Sequence, residues 1–122
     1  MKEQIKLVRD FHEKFGIEKS DTPALVDDAM AERRYRFMRE EMDEYLEGAK
    51  AGDLPNVAKE LSDILFTVYG TIVAHGLEDT IEEVFAEVAR SNMTKEFHPD
   101  KIRKGTNYSE ADTEQFFLEL VS

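Results

Sequence analysis

Two short acidic stretches, Glu40-Glu41-Met42-Asp43-Glu44 and Glu60-Leu61-Ser62-Asp63, hold the side chains best suited to chemistry. Glu41 and Glu44 stand at i,i+3, and Glu60 and Asp63 repeat that spacing, so each pair occupies one face of a helix. On its helical wheel Glu60 falls beside Val57 and Ile64, at the edge of a strongly apolar face. An acid there is costly to desolvate unless a positive charge lies among its neighbours. Counted from the loop between the stretches, at about 1.5 Å per residue, the two pairs are nearly level in an antiparallel hairpin. Four converging carboxylates require a hard divalent cation, and an all-oxygen set suits Mg²⁺ or Mn²⁺. A di-iron bundle would offer Glu-x-x-His on facing helices, and His12, His75 and His98 all lie outside these motifs. In a chain with 27 Asp and Glu, single pairs of this spacing also arise on solvated faces. Two level pairs on adjacent helices, one against an apolar arc, favour a site. Glu40 points about 100° away from Glu41 and can pair with Arg36 or serve the site.

A carboxylate-held cation on a helical scaffold is a tool for phosphates: it neutralises their oxygens and lowers the pKa of a water. Arg90, Lys95, Lys101, Arg103 and Lys104 form a basic segment that can hold outer phosphates or merely be a solvated loop. Asn92 follows Val88 by one turn on an apolar stripe, where an amide needs a partner. His12 and His75 read as satisfied histidines at the core edge.

Helices must position these groups. Ile5, Val8, Phe11, His12 and Phe15 line a first helix that ends at Gly16. Residues 17–29 read as a linker or a helix start at Pro23. A second helix runs from about Ala29 to Gly48, with Met30, Phe37, Met38, Tyr45 and Met42 on its buried side. Asp53 caps a third, which starts at Leu54-Pro55 and stops near His75-Gly76. Its broad arc of Val57, Leu61, Ile64, Leu65, Val68 and Ile72 makes it the central element. Asp79 with Glu82, or Thr80 with Glu83, can form a capping box for a fourth helix carrying Ile81, Val84, Phe85 and Val88. Residues 93–108 read as extended. Ser109 with Asp112 can cap a last short helix bearing Phe116, Phe117, Leu120 and Val121. No β alternation lasts long enough for a sheet. The expectation is all-α: one domain over residues 1–122, a four- to five-helix antiparallel bundle.

Composition agrees. The 122 residues carry a formal charge of −11, with 41% apolar residues and no Cys. That excludes thiolate zinc sites, disulfide scaffolds and cysteine nucleophiles, and disfavours nucleic acid polymers as partners. No run is apolar enough for a membrane span, and Met1-Lys2-Glu3 does not open a signal sequence, so a cytoplasmic protein is expected.

Glu-Glu-x-x-Glu at 40–44 followed by Glu-x-x-Asp at 60–63 resembles the signature of the MazG-like all-alpha nucleoside triphosphate pyrophosphohydrolases. Val8-Arg9-Asp10-Phe11-His12, Tyr69-Gly70-Thr71, Ser91-Asn92-Met93-Thr94-Lys95 and Lys104-Gly105-x-Asn107-Tyr108 occur in the order typical of the phosphoribosyl-ATP pyrophosphohydrolase-like branch. The likeness covers roughly residues 5–108. It implies hydrolysis of a nucleotide between its α and β phosphates, giving a nucleoside monophosphate and pyrophosphate. Glu41, Glu44, Glu60 and Asp63 would be the metal ligands for Mg²⁺ (Mn²⁺ as an alternative). Glu40 would be a further ligand or position the attacking water. Asn92, Lys95, Lys104 and Asn107 would contact phosphates or sugar, with Tyr108 near the nucleotide. A homodimer or dimer of dimers is implied. The segment 96–103 is compressed relative to many members of that branch, so substrate preference does not carry across. Phosphoribosyl-ATP, dUTP or dCTP are alternative substrates, and a non-catalytic nucleotide-binding or regulatory helical module is the alternative to an enzyme.

Overall fold

The computed structural model describes residues 1–121, the side chain of Val121 excepted. The Val121 side chain, placed by the sequence on the last apolar stripe, therefore lies outside the described residues. The helices are α1 (Lys2–Phe15), α2 (Asp28–Lys50), α3 (Leu54–Ala74), α4 (Ile81–Asn92) and the single turn α5 (Leu118–Val121). A 3₁₀ turn occupies Glu114–Phe116. Two-residue strands β1 (Glu96–Phe97) and β2 (Ile102–Arg103) form a small antiparallel hairpin inside the segment read as extended. The fold class is all-α, as expected. No described helix is long and apolar enough to cross a membrane.

Local chemistry explains most boundaries. Gly16 ends α1 with φ 63° and ψ 31°, its amide donating to the His12 carbonyl. The Asp27 carboxylate accepts from the Met30 amide at 2.8 Å and starts α2; Asp53 does the same for Asn56 at 3.2 Å and starts α3. Two expected caps do not form. Thr80 precedes α4 in a helical conformation (φ −113°, ψ −25°) and makes no side-chain cap; its carbonyl alone accepts from the Glu83 and Val84 amides. Ser109 and Asp112 are drawn back to α4 instead of capping a helix.

The chain divides into two compact units, Met1–Glu78 and the part from Asp79 onward. In the first, the loop 51–53 folds α3 back antiparallel on α2, and α1 packs on α3. Ile5, Val8, Val73 and Ala74 are the buried apolar residues. Most of the arc expected to be buried on α3 is only partly covered, with Leu61 and Leu65 about half exposed (47% and 50%). An arc that wide exceeds what one neighbouring helix on either side can cover within this unit. Residues 17–27 run across the end of α3, where the Ser20 and Ala24 amides donate to the Val73 and His75 carbonyls (3.1 and 2.9 Å). Arg9 ties this corner together through ion pairs with Glu78 and Asp21.

In the second unit, the Glu87 carboxylate binds the Arg90 guanidinium at 2.6 and 2.9 Å and accepts from the Asp112 amide at 2.8 Å. Arg90 also donates to the Ser109 hydroxyl and the Glu110 carbonyl, so this clasp fastens 109–112 onto α4. Arg90 first, then the Asp112 amide, hold the Glu87 carboxyl down to about 2. Its value in the folded state lies below the ordinary one, so its stabilisation is present above the ordinary value of 4.5 and is lost as pH falls toward 2. Glu87→Gln is expected to speed hydrogen exchange at the Asp112 amide near neutral pH. It should also abolish the acid-dependent loss of protection expected of the wild type.

Candidate active site

Helix α2 presents Glu41 and Glu44, and α3 presents Glu60 and Asp63, from opposite sides of one groove. One carboxylate oxygen from each lies within 4.8 Å of the others. Level placement follows from the hairpin: both pairs sit about the same distance from the loop 51–53, so their helical faces meet. Glu60 is buried (5% exposed), Glu41 and Asp63 are partly covered, and Glu44 is exposed.

The electrostatics are those of a cluster short of positive charge. Burial first, then the neighbouring Glu44 carboxylate, push the Glu41 carboxyl up to about 7. Hydrogen-bonding proximity to Glu60 raises Glu44 as well. Glu41 Oε2 and Glu60 Oε2 are buried without any hydrogen-bond partner. Two orphaned carboxylate oxygens in one groove are costly unless something else binds them. The nearby cation is Lys59, whose Nζ lies 2.8 Å from Asp63 Oδ2 and 3.5 Å from Glu60 Oε1 while its side chain stays largely exposed. An all-oxygen set with two unsatisfied acceptors fits a hard divalent cation, and no sulfur or nitrogen donor stands in the cluster.

A sequence model of the family described as phosphoribosyl-ATP pyrophosphohydrolase matches residues 8–92, a span that contains both acid pairs. The chain belongs to the phosphoribosyl-ATP pyrophosphohydrolase family. Membership and the four-carboxylate cluster together support a metal-dependent phosphohydrolase. No curated protein gives a significant match to this family member.

The other residues singled out in the sequence of this phosphoribosyl-ATP pyrophosphohydrolase family member fall as follows. Glu40 is exposed and makes no ion pair with Arg36 among the described residues. Asn92, Lys95, Lys104, Asn107 and Tyr108 all belong to the second unit. Asn92 is exposed at the end of α4, so its amide is solvated and needs no partner, contrary to the expectation from its stripe. Lys104 Nζ sits 4.9 Å from the centre of the Tyr108 ring, and the Tyr108 hydroxyl accepts from Ser91 Oγ at 3.4 Å. Asn107 is exposed and Lys95 half-buried. Of the basic segment, Arg90 and Arg103 are committed to Glu87 and Asp100, leaving Lys95, Lys101 and Lys104 without a carboxylate partner among the described residues.

Sequence reasoning passed over Arg34 and Lys59. Lys59 was legible as the i−4 partner of Asp63. Arg34 lies two turns before Glu41 on the same side of α2, a cation placed in line with Phe37 and Met38. It is buried (5% exposed), with Nε donating to Thr71 Oγ1 at 3.2 Å and Nη2 to the Thr67 carbonyl at 3.1 Å.

Proposed function

We propose that the protein hydrolyses a triphosphate-bearing nucleotide between its α and β phosphates, releasing pyrophosphate and the monophosphate. The observation that carries this reading is the pair of buried, partnerless oxygens on Glu41 and Glu60 inside a four-carboxylate groove. Glu41, Glu44, Glu60 and Asp63 would hold Mg²⁺ or Mn²⁺. A bound cation of this kind neutralises phosphate oxygens and makes water a better nucleophile near neutral pH. Glu40, exposed and without an ion pair among the described residues, would be a further ligand or position the attacking water, a role that rests on the resemblance of its motif. Lys59 must release Asp63 when the groove fills, and its ammonium is then free to meet phosphate charge. The roles of Asn92, Lys95, Lys104, Asn107 and Tyr108 toward phosphate, sugar or base rest on the resemblance of their motifs. No side chain in the groove is an activated nucleophile, so a direct attack by water on the α phosphorus needs no covalent intermediate.

Pyrophosphate release from a panel of ribo- and deoxyribonucleoside triphosphates and from phosphoribosyl-ATP, with Mg²⁺ and with Mn²⁺, tests this reading. Phosphoribosyl-ATP belongs in the panel because the matched family carries its name. Turnover that disappears with a chelator and returns with either cation is the expected result. A folded protein with no turnover, and with no change in melting temperature on adding Mg²⁺, would favour the non-catalytic helical module instead.

The partly covered arc of α3, with Leu7 on α1, leaves apolar surface that a second copy would bury. Light scattering after size exclusion is expected to give a dimer or a dimer of dimers; a monomer at tens of micromolar would contradict this. Action on free nucleotides in a cytoplasmic setting completes the proposal.

A further inference from the structure

A cation of the chain itself stands on the acid groove. Lys59 Nζ lies 2.8 Å from Asp63 Oδ2 and 3.5 Å from Glu60 Oε1, and among the described residues it is the cation at ion-pair distance of the four carboxylates. It is held differently from Arg9 on α1, which three carboxylates fix, those of Glu13, Asp21 and Glu78. The Lys59 side chain is 66% exposed, against 6% for Glu60 and 37% for Asp63, so it reaches the acids from the solvent side. An ammonium on a four-carbon stem is a mobile point charge, and swinging it away breaks one exposed hydrogen bond.

Lys59 serves only some of the groove's oxygens. It reaches Asp63 Oδ2 and Glu60 Oε1, whereas Glu60 Oε2 and Glu41 Oε2 are buried without a partner. One ammonium also leaves four converging carboxylates short of positive charge. A divalent cation suits the remaining oxygens, but it and the ammonium would repel strongly if both stayed on Asp63 and Glu60. The ammonium therefore has to leave these oxygens when a cation binds. It cannot go far: Lys59 precedes Glu60 in sequence and lies one turn before Asp63 on α3, so its head group stays within a side chain's length of the groove. A phosphate ligand brings negative charge to the same place, and a charged donor binds phosphate oxygens well.

We propose that Lys59 is a transferable counter-ion: it holds Asp63 and Glu60 in the metal-free protein, yields them when a divalent cation binds, and then pairs with the diphosphate part of the nucleotide. This deepens the reading of the groove as the site of nucleotide hydrolysis and rests on it. Lys59 competes with the cation, so it weakens cation binding; it attracts the diphosphate, so it strengthens phosphate binding. It also sets an order, because the ammonium is free for phosphate only after a cation has displaced it from Asp63.

Lys59→Gln tests both effects, with Mn²⁺ alone and with inorganic pyrophosphate in excess Mg²⁺ as probes, neither of which needs turnover. Electron paramagnetic resonance of the free ion is expected to show Mn²⁺ bound about tenfold more tightly by the variant. Calorimetry is expected to show pyrophosphate bound about tenfold more weakly. Both shifts should persist at about 0.5 M salt, where the screening length is about 4 Å. Lys50→Gln is the charge control, since Lys50 is exposed at the end of α2 with no carboxylate partner among the described residues. It should change neither constant by more than about twofold. An ordinary surface ion pair would leave both constants of Lys59→Gln at wild-type values, and that result overturns the proposal. So do equal shifts in Lys50→Gln, which would make the effect one of net charge, and tighter Mn²⁺ with unchanged pyrophosphate, which would remove the transfer. The expected shifts with no pyrophosphate released from any nucleotide would keep the counter-ion and remove the hydrolase. Turnover with unshifted constants would do the reverse, and a wild type that binds no Mn²⁺ would remove both.

Discussion

Glu41→Gln is expected to lower kcat/KM by about a hundredfold or more while raising the melting temperature of the metal-free protein. The two effects share one cause. Glu41 gives the groove an anionic oxygen that has no protein partner, and its carboxyl is pushed up to about 7 by burial and by Glu44. Between the ordinary value of 4.5 and about 7, the folded protein holds a proton that the unfolded chain has lost. Stability of the metal-free protein therefore falls as pH rises through that window and levels off above it. The glutamine variant keeps the shape and removes the charge, so its stability should fall less steeply over the same window, the remainder coming from Glu44, which Glu60 still raises. Near pH 8 it should exceed wild type by about 1 kcal/mol, a gain of a few degrees. Asp63→Asn should cost comparable activity. Thermal melts of wild type and Glu41→Gln from pH 4.5 to 8.5 in a chelator, repeated with Mg²⁺, provide the check. A wild type whose metal-free stability rises across that window would contradict the electrostatics of the groove. A Glu41→Gln enzyme working at the wild-type rate in saturating metal would contradict the ligand assignment.

Gly76→Ala carries the largest expected loss of stability, about 2–4 kcal/mol. Gly76 sits just past α3 at φ 67°, and an added Cβ would collide with the backbone carbonyl of Thr22. Backbone on both sides holds that carbonyl, since the Ser20 and Ala24 amides are bonded to the end of α3 and the Ala24 carbonyl lies 2.8 Å from His75 Nδ1. The segment cannot retreat without breaking these bonds. Gly16 is the natural control: it has nearly the same φ of 63°, but nothing lies within 4 Å of a Cβ there. Gly16→Ala should cost only the left-handed penalty of about 1 kcal/mol. Urea titrations of both variants measure the difference, which reports the contact between residues 17–27 and α3. Equal losses would mean that this contact contributes little.

Much of this was legible in the primary structure because the signals are local. Asp53 ahead of Leu54-Pro55 marks where α3 begins, and Gly16 and Gly76 mark where α1 and α3 stop. The i,i+3 spacing of two acid pairs on either side of a short loop makes their convergence a matter of helical geometry. Legibility failed where a residue had two local options. Thr80 and Ser109 both look like caps, yet Thr80 takes a helical conformation, and Ser109 is claimed by Arg90 from 19 residues away.

The sequence by itself determined the helices, the family and the acids, because periodicity, capping chemistry and motif spacing act over a few residues. Only the tertiary structure decided which oxygens are left without partners and which cation is buried without a carboxylate. Burial is a property of the packed ensemble: the apolar arc of α3 is continuous in sequence, yet Leu61 and Leu65 stay half exposed while Glu60 and Arg34 are covered. The approach of His12 and Arg34 to Gly70 brings three helices together and depends on how closely they pack.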